Sequence, residues 1–246
     1  MSEERIGKEF YDSSDYFENR GTAHLTDYES PFQRYRIDKV LGIHAPSPED
    51  RVVDLGCGWG TFDFALAGRV REVVGVDFSE RSIEICLQRL RDDPRDNVRF
   101  LCADAGDTGL EGDAYDLVLA ADLFEHLYPE DSARVAREAF RLLRPGGRFA
   151  TWTPHRGHIL EVLKNREILL KRDVSHVDYK SMATMKSLLS GAGFRIEKAY
   201  YAESHVPGLR VAERVLQSVV PLLRRRIAVL GRKPEAGTES RPPAGV

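Results

Sequence analysis

Nine residues, Val52-Val53-Asp54-Leu55-Gly56-Cys57-Gly58-Trp59-Gly60, constrain this chain more than any other stretch. An apolar run that reads as a buried strand ends in an acid, glycine takes every second position, and a helix-like segment starts at Thr61. That is the layout of a nucleotide-cofactor loop. Turns without side chains let the backbone approach a ligand, and the helix that follows offers its free N–H groups. A dinucleotide fingerprint, G-x-G-x-x-G, would need glycine where Thr61 stands.

From this loop onward, strand-like and helix-like segments alternate. Strands are expected at Arg51–Leu55, Glu72–Asp77, Val98–Cys102, Tyr115–Ala121 and Arg148–Thr153, with helices from Thr61, Glu80 and Pro129. In the last of these, Val135, Ala139, Leu142 and Leu143 share one face. Strands separated by helices argue for a parallel sheet covered on both sides. The turn Arg144-Pro145-Gly146-Gly147 is expected to lead into the fifth strand. Further on, a helix from Ser181 stops at Gly191-Ala192-Gly193, a strand follows over Phe194–Tyr201, then a helix over Val211–Leu223 and a short last strand over Arg226–Leu230. Residues 1–40 read as a helical lid carrying Phe10, Tyr11, Tyr16 and Phe17, residues 41–231 as the main domain, and residues 232–246 as a disordered tail.

The loop with Asp54 before it, Gly56, Cys57, Gly58 and Gly60 resembles the first motif of the class I S-adenosylmethionine-dependent methyltransferases. Later positions agree with that family. Asp77 ends the second strand, where the resemblance implies a carboxylate for both ribose hydroxyls, and Phe78 beside it would pack on the adenine. Asp104, followed by Ala105, matches the acid that takes the adenine amino group. The segment Tyr115–Asp122, with Ala121 and Asp122 at its end, matches the stretch along the methionine moiety. The resemblance covers about residues 32–231. It implies an α/β, Rossmann-like, seven-stranded mostly parallel sheet of order 3-2-1-4-5-7-6 whose last strand is antiparallel, with helices on both faces. It also implies S-adenosyl-L-methionine as cofactor.

Just past the fourth strand, Asp122-Leu123-Phe124-Glu125-His126 brings three polar groups to the mouth of such a site. His126 is the candidate general base, because imidazole titrates near neutral pH, and Glu125 is its candidate partner. Ubiquinone-type and small-RNA methyltransferases resemble this segment with E-x-x-E-H and hold a divalent metal there. Asp122, Glu125 and His126 keep that spacing and His176 offers a fourth ligand, but Asp122 departs from glutamate, so no metal is expected. His155, Arg156, His158 and the basic run from Lys164 to Arg172 either recognise an anionic group or form a solvated surface. Arg224-Arg225-Arg226 either touches an anionic membrane or starts the last strand.

A net charge of −3 over 246 residues offers no general attraction to nucleic acid, and no apolar run is long enough for stable membrane insertion. Three cysteines without C-x-x-C spacing read as reduced thiols of a cytoplasmic protein. The expected activity is methyl transfer to a small-molecule acceptor, most readily at oxygen, by a monomer or homodimer. The alternatives are a methyltransferase acting on RNA or protein, or an S-adenosylmethionine-binding protein without methyl transfer. Against the first, the chain lacks an N/D-P-P-Y/F motif after the fourth strand.

Overall fold

A computed structural model describes residues 5–13, 28–165, 174–203 and 207–235. Its centre is a seven-stranded sheet of β1 (Arg51–Leu55), β2 (Glu72–Asp77), β3 (Val98–Cys102), β4 (Tyr115–Ala121), β5 (Leu143–Pro154), β6 (Arg195–Ala202) and β7 (Arg226–Arg232). The spatial order is β3-β2-β1-β4-β5-β7-β6. β7 runs antiparallel to both neighbours, and the remaining pairs are parallel. The direction of winding therefore reverses between β1 and β4. In open α/β sheets the loops at the carboxyl ends of such strands diverge and leave a crevice.

Alternation of side chains along β1 and β2 divides the core in two. Val52 and Val73 face one side with Leu66, Leu117, Leu119 and Trp152, covered by the helices Pro31–Leu41 and Thr61–Leu66. Val53, Leu55, Val74 and Val76 face the other with Val118 and Phe149, covered by the helices Pro129–Leu142 and Met182–Gly191. Because both faces are buried, these strands read as continuous apolar runs.

Several boundaries differ from expectation. β5 begins at Leu143, ahead of Arg148, and takes in the whole turn. Leu143 pairs with Tyr115, a bulge follows, and the glycines pair with the far end of the chain: Gly146 N donates to Lys233 O and Lys233 N donates to Gly147 O, both at 2.9 Å. Arg232 to Glu235, expected to open the tail, are held in place. Arg232 lies in β7, and Lys233 Nζ donates to Asp113 and to the carbonyls of Phe140 and Leu143. The helix expected over Val211–Leu223 instead runs Pro207–Leu216, with a 3-10 turn at Pro221–Leu223. Residues 236–246, Tyr16, Phe17 and most of the Lys164–Arg172 run lie outside the described residues.

One contact under the sheet is unusually tight. Gly75 sits opposite Asp54 in the β1–β2 register, and a Cβ there would come within 2.5 Å of Asp63 Oδ1 and 2.6 Å of Phe100 Cδ1. Both groups are packed side chains, so overpacking at this point costs about 1–3 kcal/mol. Urea unfolding of Gly75→Ala should show a loss of roughly that size relative to wild type, and unchanged stability would contradict this packing.

Candidate active site

The crevice above β1 and β4 holds a cavity of about 470 Å³, in the size range of small-molecule sites. Its floor is the glycine loop. Gly56 N and Cys57 N donate to Val76 O at 2.8 and 3.0 Å, which hangs the loop on the end of β2. Gly58 N donates to Asp77 Oδ2 at 3.0 Å. At Gly58 the backbone is left-handed, with φ of 53°, and a Cβ would meet nothing within 4 Å. Gly56 shares the left-handed geometry, but a Cβ there would strike Leu123 Cδ1 at 2.8 Å. The first glycine is needed for packing, whereas the second keeps the cavity floor free of side chains.

Of the residues expected to hold a cofactor, Gly56, Cys57, Gly58, Asp77, Phe78, Asp104, Ala105, Ala121 and Asp122 line this cavity. Asp54 and Gly60 stand behind it. Gly60 starts the helix Thr61–Leu66 against Phe100 and Phe64. Asp54 is buried beneath the loop with Asp63, and none of their four carboxylate oxygens has a hydrogen-bond partner among the described residues. Burial and then the charge of Asp63 push the Asp54 carboxyl well up. Burial pushes Asp63 up to about 7.

Asp77 is held by Gly58 N and by Ser79 N, which donates to its other oxygen at 2.9 Å. Burial raises its carboxyl, opposed by these N–H donors. Phe78 is 37% exposed and tilts against Tyr11, with ring centroids 5.3 Å apart. Asp104 accepts from Gly106 N at 2.7 Å and from Arg134 at 2.8 Å.

The short helix Lys8–Asp12 lies across this end. Asp12 accepts from the Ser79 hydroxyl at 2.7 Å, Lys8 pairs with Glu80, and Arg5 pairs with Asp131 while stacking over Tyr128. The N-terminal segment thus bridges the starts of two helices on opposite sides of the cavity.

Asp122, Glu125, His126 and His176 line the same cavity. Asp122 ends β4 in a left-handed conformation, with φ of 55°, which is costly for a non-glycine residue. Two arginines hold it there. Arg36, from the helix Pro31–Leu41, donates to Oδ2 through Nε at 3.1 Å and Nη2 at 2.7 Å, and Arg226 at the start of β7 donates to Oδ1. Glu125 is buried, and its Oε2 accepts from the Thr153 hydroxyl at 2.9 Å. Burial, followed by the Asp122 charge, pushes its carboxyl up to about 8, so it is protonated at neutral pH.

His126 lies on a 3-10 turn with Nδ1 3.0 Å from Ser175 O and 3.2 Å from the Tyr11 hydroxyl. A carbonyl only accepts, so in the neutral ring Nδ1 carries the hydrogen and Nε2 is the basic nitrogen. The His176 ring is 4.9 Å from that of His126, and its Nδ1 is 2.7 Å from the Tyr179 hydroxyl.

Sequence reasoning passed over Arg36, Tyr11 as a partner of His126, and Arg226 as a cavity residue. A trace of Arg36 was present, because it falls on the stripe of Phe32 and Val40 at helical spacing. His155 and His158 are buried, which lowers both imidazoles, His158 to about 4; neither forms part of a solvated cationic surface. Arg226 belongs to the last strand and points into the cavity, away from any surface.

The Asp63 carboxyl carries a pH signature. Its ordinary value is 3.8, so between about 4 and 7 the folded chain keeps a proton that the unfolded chain has released, and stability falls as pH rises through that window. Asp63→Asn, which removes the titrating group, should lose less melting temperature than wild type between about pH 5 and about pH 8. Parallel curves would contradict the assignment.

Comparison with known proteins agrees with this site. Residues 52–147 match the family model described as a methyltransferase domain. A demethylmenaquinone methyltransferase of Clavibacter sepedonicus is 36% identical over 47% of this chain and 45% of its own length. A probable S-adenosylmethionine-dependent methyltransferase of Mycolicibacterium smegmatis is 31% identical over 68% of this chain and 60% of its own. The chain therefore spans about half of the length of these curated relatives. In fold, the PH0226 protein of Pyrococcus horikoshii superposes with a TM-score of 0.67 at 20% identity, over 90% of this chain and 99% of that one. The glycine loop and the strand order agree with the family match, and residues 52–147 form a methyltransferase domain.

Proposed function

We propose that the protein transfers a methyl group from S-adenosylmethionine to an oxygen of a small-molecule acceptor. The observation that carries this reading is one cavity lined by Gly58, Asp77 and His126 together. The residues present suit the cofactor. The open space over Gly58 admits a ligand close to the backbone, and Asp77 and Asp104 offer carboxylate oxygens for hydroxyl and amino groups. Arg36 brings a guanidinium to the same cavity and suits the cofactor's carboxylate. When bound, S-adenosylmethionine supplies an already activated methyl group on a sulfonium sulfur.

The chain's own contribution is alignment and proton removal. Holding donor and acceptor in line supplies much of the acceleration in such a displacement. His126 Nε2 takes the acceptor's hydroxyl proton, while Ser175 O and Tyr11 hold Nδ1 and set the ring's orientation. Glu125, neutral at the back of the chamber, adds no negative charge that would oppose deprotonation of the acceptor. The segment 5–13 bridges the cofactor end and acts as a lid that excludes water. No helix among the described residues is long and apolar enough to cross a membrane, and we place the activity in the cytoplasm, on a small acceptor. The demethylmenaquinone methyltransferase among the relatives supports a small-molecule acceptor.

Tritium transfer from methyl-labelled S-adenosylmethionine across a panel of phenols and enols tests this reading. A wild-type product labelled at oxygen is expected, and His126→Ala should lower kcat by about 10²–10⁴ while leaving S-adenosylhomocysteine affinity within a few fold. Labelling at nitrogen only, or full activity in His126→Ala, would refute the assignment.

A further inference from the structure

Two acids and a histidine on one turn, Asp122, Glu125 and His126, with His176 nearby, are a donor set of the kind that takes a divalent ion. Part of that set is assembled here. Glu125, His126 and His176 each offer a ligand atom, all within 4.8 Å of one another. The missing member is Asp122, whose two oxygens are both engaged by guanidinium groups: Oδ2 by two N–H groups of Arg36 and Oδ1 by Nη1 of Arg226.

Arg226 occupies the position that matters. It opens β7, where pairing with Pro154 on one side and Ala202 on the other fixes its backbone. Its side chain is 21% exposed and lines the cavity. The Asp122 carboxylate acts on it most strongly, and the carboxyl groups of Glu125 and Glu161 lie near it. A cation among these carboxyl groups takes the place that a divalent ion would need, and like charge at short range opposes adding one.

We propose that Arg226 is the resident cation of the acceptor chamber and stands in place of a divalent metal. By occupying Asp122 it leaves an incomplete ligand set, and by its own charge it repels the ion. An acceptor oxygen then meets a guanidinium where a bound metal would present a Lewis acid. The proposal rests on reading this chamber as the acceptor site, but the metal-exclusion part stands on the geometry alone.

Electron paramagnetic resonance of Mn²⁺, with the full chain, tests it. Wild type and Arg226→Lys should leave Mn²⁺ free in solution. Arg226→Met, which keeps the bulk and removes the charge, should bind one Mn²⁺ per chain at least about tenfold more tightly than wild type. Adding His176→Ala to Arg226→Met should reverse the gain. Arg226→Gln serves as a second neutral variant should Arg226→Met fail to fold. S-adenosylhomocysteine titration on the same samples reports the cofactor site separately: its loss in wild type would remove the cofactor reading and leave this one standing. Mn²⁺ bound by wild type, or no gain in a folded neutral variant, would overturn the proposal.

Discussion

The glycine loop hangs on the end of β2, and the site depends on that attachment. Two consecutive N–H groups of the loop reach Val76 O, and a third reaches the Asp77 carboxylate. A loop with left-handed residues at alternate positions has few conformations in which its N–H groups are satisfied, and these bonds select one of them. The same bonds set the Asp77 carboxylate beside the loop, so the acid and the open backbone border one cavity together. β1 and β2 bring them there because both strands are buried on each face and their register is set by packing. Beneath the loop, the absence of a side chain at Gly75 admits Asp63 beside Asp54, which leaves two buried carboxyl groups where solvated acids would be expected.

A second linkage organises the acceptor end. Asp122 sits where β4 turns over, strained in backbone and tied to two parts of the chain that are far apart in sequence. Arg36 comes from a helix ahead of the first strand, and Arg226 from the last strand of the sheet. Burying an aspartate between two guanidinium groups keeps it ionised: their charges hold its carboxyl below the usual range against the effect of burial. For Glu125, three residues on, burial and the Asp122 charge outweigh the Arg226 charge, and its carboxyl moves the opposite way. Two acids on one turn thus carry different charge at neutral pH, and His126 lies next to both in sequence and space.

Much of this was legible in the sequence where the determinant is local. Alternating glycines, an acid at each strand end and apolar runs of strand length carried the family resemblance, which implied the sheet order and nine lining residues of the cavity. What escaped had no local trace. The start of β5 depends on Lys233, which pairs with Gly146 and Gly147 from the far end of the chain. Arg226 was expected to start the last strand, but nothing nearby in sequence tells that its side chain lines the cavity. Asp54 and Gly60 were expected to touch the cofactor, yet the loop turns its Gly56–Gly58 side to the cavity and keeps those two residues behind.

The central claim is that the bare backbone at Gly58 is a cofactor-binding surface. Isothermal titration of S-adenosylhomocysteine into wild type and Gly58→Val tests it most directly, with melting temperature as the control for folding. One saturable site in wild type, weakened at least about a hundredfold in a folded Gly58→Val, is the predicted result. Equal affinity in the two proteins, or no binding to wild type, would contradict it.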